Sequence, residues 1–168
     1  MDIQTFFTQS EGRWFSQRTR YQITNPEADN SKSDITVELL PPNHERVTQL
    51  CKQYRVDPAQ VWQGVKISWD TSADWSKPKQ VGSTVLVVLP EGDHTGKLLR
   101  DGAGKGFYQI SDDESVTLVV DAEGMYSEER LWFASENLRL RTTLVKNSQG
   151  VVQTGFYSEI RRLPPKED

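Results

Sequence analysis

A series of short strands joined by tight turns predicts an all-β protein with small helices, folded as an up-and-down antiparallel β-barrel of about ten strands. Three observations carry that expectation. Stretches rich in Val, Leu, Ile and Thr recur at strand length. The pairs Glu91-Gly92, Asp101-Gly102, Glu123-Gly124 and Gln149-Gly150 punctuate them with the residues that hairpin turns demand. Many short strands in a chain of this size also leave exposed edges unless the sheet closes on itself, and closure leaves an interior wide enough for a small ligand.

Taken in order, Asp2 is placed to cap a short helix over Ile3, Phe6 and Phe7. Strand patterns then cover residues 13–24 and 33–40. Val47, Leu50, Cys51 and Tyr54 recur at helical spacing between Pro42 and Val56, and Asp57-Pro58 opens a further helical turn with proline at its first position. Further strands are expected over residues 64–69, 83–89, 96–100, 106–111, 115–120, 125–133, 138–146 and 151–162. The tail over residues 163–168, with its Pro164-Pro165 pair, reads as a frayed terminus. A β-sandwich competes with the barrel, but small helices near the start favour a barrel of the calycin kind, where a helical piece covers one end.

The 168 residues suit one domain over 1–168, long enough to bury a core without staples. A net charge of -4 and a pI of about 5.3 supply no basic field for nucleic acid or an anionic membrane, so an anion site must be local. One cysteine allows no internal disulfide, and His44 and His94 stand apart without ligand spacing, so no metal is expected. The N-terminus lacks the basic start and apolar core of a signal peptide, and no run approaches the ~20 apolar residues of a membrane span. A soluble protein of a reducing compartment is expected.

The most informative stretch for function is LWFASENLRLRTT, residues 131–143. Successive side chains on a strand point to opposite faces, so Arg139 and Arg141 share one face and Leu138 and Leu140 the other. Two planar guanidinium forks beside Trp132 and Phe133 suit a ligand that is aromatic and anionic at once, in which case the leucines pack outside the pocket. The same pattern also fits a solvated strand face whose arginines pair loosely with exposed acids. On the first strand Trp14, Ser16, Arg18 and Arg20 share a face, and on the last Tyr157, Glu159 and Arg161 do, so Glu159 is available to neutralise Arg139 or Arg141 if those strands are neighbours. Trp62, Trp69 and Trp75 cluster around the polar break 70–74, as core aromatics at a hairpin tip or as ligand walls.

Other signals carry less. Residues 102–106 resemble a phosphate loop in composition but lack its spacing and its lysine-hydroxyl pair, which leaves a hairpin turn. Cys51 lies on the apolar stripe of its helix, as a packed thiol rather than a nucleophile, and no histidine stands near it to complete a hydrolase triad.

The blocks FFTQSEGRWFSQRTRYQI, ISWDTSADW followed by KPKQVGSTVLVVLP, ERLWFASENLRLRTT and GFYSEIRRL, in that order, resemble the S-type phycobiliprotein lyases of cyanobacteria and some algal plastids. The resemblance covers nearly the whole chain and implies a lipocalin-like or fatty-acid-binding-protein-like barrel that attaches linear tetrapyrroles to cysteines of phycobiliprotein subunits. Carried over by motif, Arg18, Trp69, Trp75, Arg139 and Arg141 are expected ligand contacts, joined by Trp14; Glu159 or Glu136 is the expected acid. A phycobilin such as phycocyanobilin is then substrate rather than tightly bound cofactor, with phycocyanin β and allophycocyanin subunits as acceptors. A homodimer, or a heterodimer with a related lyase subunit, in the cyanobacterial cytoplasm or the plastid stroma completes the expectation. A histidine often ends the Ser-Gln-Arg-Thr block in this family; Tyr21 stands there in this chain, so no role is carried over to it. The alternative is a carrier that binds a fatty acid, haem or bilin without chemistry.

Overall fold

Closure depends on the first strand finding the last. In the computed structural model, which describes residues 1–165, β1 (Gly12–Gln22) pairs antiparallel with β10 (Gly150–Arg161) from Trp14↔Arg161 to Gln22↔Gln153. Between them run β2 (Asn25–Leu40), β3 (Gln63–Asp70), β4 (Val81–Pro90), β5 (Thr95–Arg100), β6 (Gly104–Ile110), β7 (Val116–Ala122), β8 (Met125–Ser135) and β9 (Leu138–Asn147), each antiparallel to its neighbours. The result is the expected closed barrel of ten strands with small helices. Glu123 and Gly124 have φ of 54° and 78°, the left-handed pair of a two-residue hairpin turn whose twist matches its strands. Residues 102–106 form the β5–β6 turn and the start of β6.

Helix α1 (Ile3–Ser10) closes one end. Asp2 caps it, its carboxylate accepting from the Thr5 N–H at 2.7 Å, and the helical spacing of Ile3, Phe6 and Phe7 turns all three into the barrel. They meet Trp14, Val37, Val65, Val88, Leu98, Tyr108 and Leu131, the inward side chains of the strands' lower halves. Helix α2 (Glu45–Tyr54) lies outside the wall and buries Val47, Leu50 and Cys51 on Val85, Val87, Leu89 and Leu99. Strand β4 therefore has apolar cover on both faces, which explains its unbroken run Val85–Leu89.

Two expectations need correction. Strand β2 begins at Asn25, eight residues before the expected start at Ser33, because the polar segment 25–32 pairs with β1 instead of looping. Leu138 and Leu140 do not pack under a second layer: they are half-buried on the barrel's outer surface, while the arginine face points inward. Of the expected tail, Leu163–Pro165 carries no regular structure, and residues 166–168 lie outside those described.

Phe6 has no exposed surface and Leu140 has a good deal, so equivalent truncations should differ sharply. Phe6→Ala is expected to cost about 3–5 kcal/mol, whereas Leu140→Ala should cost about 1 kcal/mol. Urea midpoints at constant slope measure both, and equal losses would contradict the inside-outside assignment.

Candidate functional site

Above the apolar core the barrel interior turns polar, and the boundary is a buried carboxylate. Glu159 of β10 has no exposed surface. The β9–β10 register sets it opposite Arg139, whose Nε donates to Oε1 at 3.1 Å, while Arg141, two residues along the same face, brings Nη2 within 3.5 Å of Oε2. Burial pushes the Glu159 carboxyl up, but the two guanidiniums outweigh it and hold the group below the usual carboxylate range. Arg141 shifts the other way: burial opposes its charge, and Glu159, Glu129 and Tyr157 more than restore it. Trp14 supports this floor from below. Its indole N–H donates to the Ser10 carbonyl at 2.9 Å, and the guanidiniums of Arg139 and Arg161 lie 5.1 and 4.2 Å from its ring. Arg161 in turn donates to the backbone carbonyls of Gln9 and Glu11, tying α1 to the barrel's closed end.

Over the floor opens a cavity of about 400 Å³. Strand parity assigns its walls: Arg18 and Arg20 from β1, Asp29, Ser31 and Ser33 from β2, Ile67 and Trp69 from β3, Arg100 from β5, Glu129 from β8, Arg141 and Tyr157 from β9 and β10. Gly82 faces Trp69 across the β3–β4 pair, and a Cβ there would overlap the indole, so glycine gives the ring its place. The β3–β4 loop contributes Lys77, which binds Asp29 and the Asn30 carbonyl. Asp29 also takes Arg18 at 3.2 Å and Arg20 at 2.9 Å. The hydrogen bond from Lys77 is the largest influence holding the Asp29 carboxyl low, outweighing burial, with the arginine charges adding to it. Glu129 faces Arg100 at 3.5 Å and Arg141 at 3.8 Å.

Five cationic side chains (Arg18, Arg20, Lys77, Arg100, Arg141) line this cavity against three anionic ones (Asp29, Asp74, Glu129), an excess of two positive charges in a chain of net charge -4. The Arg139–Glu159 pair beneath adds none. The Nε groups of Arg18, Arg20 and Arg141 are buried without a hydrogen-bond partner, a condition that costs about 1–3 kcal/mol per donor. Aromatic surface comes from Trp69 and from Tyr157, whose ring carries Arg141 3.8 Å from its centroid. The arrangement suits a flat conjugated ligand bearing two carboxylates.

The sequence-predicted residues separate in this geometry. Arg18, Trp69 and Arg141 line the cavity, with Arg139 and Glu159 directly below. Trp14 is fully buried in the core and acts through the arginines it stacks on, not as a wall. Trp75 is 95% exposed on the β3–β4 loop, outside the cavity, because that loop turns over β2 and its inward position goes to Lys77. Glu136 sits exposed in the β8–β9 turn at the closed end, where only its carbonyl is engaged, by Arg161. Tyr21, half-exposed near the rim, is not a wall either.

Glu129 takes the place that Glu136 was expected to hold. Its signal was present in the alternation of β8, where Glu129 is in phase with the inward Leu131 and Phe133, but the neighbouring Glu128 and Arg130 disguise it as a charged run. Asp29, Lys77 and Arg100 were also missed. The first two lie in segments that read as loop, and nothing local distinguishes Arg100 from a charge at a hairpin end.

A family model described as CpeS-like protein matches residues 2–162. A protein of Thermosynechococcus vestitus named chromophore lyase CpcS/CpeS is 44% identical over 169 residues, covering 96% of this chain and 93% of its own length. Chromophore lyase CpcS/CpeS 1 of a Synechocystis species is 39% identical, with 99% and 94% covered. Among solved structures, the S-type phycobiliprotein lyase CPES from Guillardia theta superimposes with a TM-score of 0.88 at 29% identity, over 98% of this chain and 95% of that one.

Glu159→Gln leaves two guanidiniums facing a neutral amide in the interior, and is expected to cost about 3–5 kcal/mol. Because the folded Glu159 and Asp29 carboxyls are held below their unfolded values, the stability they contribute is complete above the usual carboxylate range. It is lost as pH falls through their folded values. Urea unfolding from neutral pH downward should show wild type losing stability more steeply than Glu159→Gln. Parallel slopes would mean that Glu159 does not carry the pH dependence.

Proposed function

This chain belongs to the CpeS-like family, and we propose that it is a phycobiliprotein bilin lyase, which binds phycocyanobilin in the charged cavity and joins it by a thioether to a cysteine of a phycobiliprotein subunit. One observation carries the reading: the excess of two positive charges beside aromatic walls matches a conjugated tetrapyrrole with two propionates. Phycocyanin β and allophycocyanin are the acceptors to try first. A single domain, working alone or as a homo- or heterodimer in the cyanobacterial cytoplasm or plastid stroma, belongs to the same reading. No helix among the described residues is long and apolar enough to cross a membrane.

In the proposed reaction the acceptor thiol adds across the ethylidene double bond of the bilin's first ring. Sulfur bonds to the exocyclic carbon and the thiol proton is balanced by one delivered to the ring carbon, so nothing leaves and no electrons are exchanged with a third party. Arg18, Arg20 and Arg141 hold the propionates, and Trp69 and Tyr157 hold the conjugated plate in one conformation. Glu129 lies at cavity height, where its carboxylate stabilises a tetrapyrrole protonated on its pyrrole nitrogens by solvent, a cation whose ethylidene is more electrophilic and which returns that proton after the addition. Glu159, kept ionised by two arginines, positions them rather than giving up a proton.

The nucleophile belongs to the acceptor. Cys51 is buried under α2, where burial first and Asp57 second push its thiol up, away from the reactive thiolate. Cys51→Ala should therefore transfer bilin within about twofold of wild type, as stopped-time adduct formation will show. Incubating protein, phycocyanobilin and apo-phycocyanin should yield an acid-stable coloured adduct. A carrier would shift the bilin absorption and leave none. If guanidinium forks hold the propionates, the bilin dimethyl ester should bind at least about tenfold more weakly than the free acid, since hydrogen bonds to charged groups contribute about 1.5–3 kcal/mol against about 1 for neutral ones. Equal affinities in an absorption titration would remove the arginines from the ligand site.

A further inference from the structure

The two sides of the barrel mouth differ in kind. Along β2 and the β3–β4 loop the rim is charged, with Asp29 and Lys77 joined across it. On the other side, the tips of the β1–β2, β7–β8 and β9–β10 hairpins form a separate cleft of about 480 Å³ whose eleven lining residues include no charged one. The chain as a whole is 26% charged, so about three would be expected by composition. Its apolar part is Ile23, Met125, Val145, Val151 and Val152, and the remainder is Gln, Asn, Thr and Gly. Ile23 is 64% exposed, Met125 44% and Val151 38%. The β1–β2 tip is tied to β10, the Ile23 N–H donating to the Val152 carbonyl at 3.0 Å, so that part of the surface is preorganised. Lys146, paired with Val151 in the β9–β10 register, lies with its ammonium 4.4 Å from the centre of the Tyr126 ring.

We propose that this uncharged lip is the docking surface for the acceptor subunit, which packs an apolar patch beside its target cysteine against Ile23, Met125 and Val151. The inference rests on the lyase reading above. Among the described residues, α1, Trp14 and the Arg161 hydrogen bonds fill the opposite end, so a macromolecular thiol reaches a ligand in the cavity through the mouth. The cleft lies at that open end, Gln22 and Val145 continuing the inward faces of Arg20 on β1 and Arg141 on β9. Its apolar centre with an amide-rich, uncharged lining has the low charge of a protein interface core, and it offers no cation to the carboxylates of a bilin. The charged side of the mouth is left for the propionates.

The test uses the full chain with phycocyanobilin and apo-phycocyanin. Ile23→Asp with Val151→Asp, and the milder Ile23→Ser, alter exposed hairpin tips, so circular dichroism and thermal melts should match wild type. The double variant should raise the KM for the acceptor at least about tenfold, with Ile23→Ser intermediate, while kcat at saturating acceptor and the bilin Kd stay within about twofold. Phe107→Ser, which removes an exposed aromatic from β6, serves as the control and should change none of these. An unchanged acceptor KM overturns the proposal. So does a raised bilin Kd, which would assign the lip to the chromophore, and so does a wild-type dimer that the variant converts to monomer, which would assign it to a second copy. Failure of wild type to form any adduct would instead defeat the lyase reading itself, and the docking surface with it.

Discussion

A carboxylate buried in a barrel interior is tolerable only where cations meet it, and Glu159 is held by two. Desolvating such a group costs several kcal/mol, and only close, well-oriented guanidiniums return it. Arg139 and Arg141 do so because they stand two residues apart on one strand face, straddling the oxygens of the residue opposite. A one-residue slip of β10 against β9 would turn Glu159 to the outer surface and take from both arginines the carboxylate they share, so the triad fixes register as well as charge. It also fixes where the cavity ends, since the core begins directly beneath at Trp14.

From that level the barrel divides along its axis. The same inward face of a strand is apolar in one half and polar in the other: β1 passes from Trp14 to Arg18 and Arg20, and β2 passes back from Ile35 and Val37 to Ser31 and Asp29. The closed half, plugged by α1 and backed by α2, supplies the burial that stabilises the fold. The open half carries the charged side chains, and the cavity lies among them.

Within the open half, Asp29 has a particular part. It draws Arg18, Arg20 and Lys77 to one carboxylate, keeping three mutually repelling cations together without a ligand. The site is thus already arranged for anions, as the proposed carboxylate-bearing ligand requires. The global charge of -4 has no bearing on this, because the walls of a narrow cavity decide the potential inside it.

Local patterns in the chain set the ten strands, the turns between them, both helices with the Asp2 cap of the first, and the facing of Arg139 with Arg141 and of Trp14 with Arg18. All of these are local: period-two alternation, helical spacing and turn chemistry act over a few residues. The sequence also contained the family resemblance, which depends on the order of blocks and not on geometry. Tertiary structure alone decided which face of β9 is inside, because alternation separates two faces without saying which meets water. Only closure between β1 and β10 turned the arginines inward and the leucines out. The same holds for the acids and for Trp75. Strand pairing brought Glu159 to the arginines, Glu129 came to the cavity through the parity of β8, and a loop folding back over β2 carried Lys77 in and left Trp75 in solvent. Each of these depends on contacts between residues far apart in the chain, which short-range patterns do not encode.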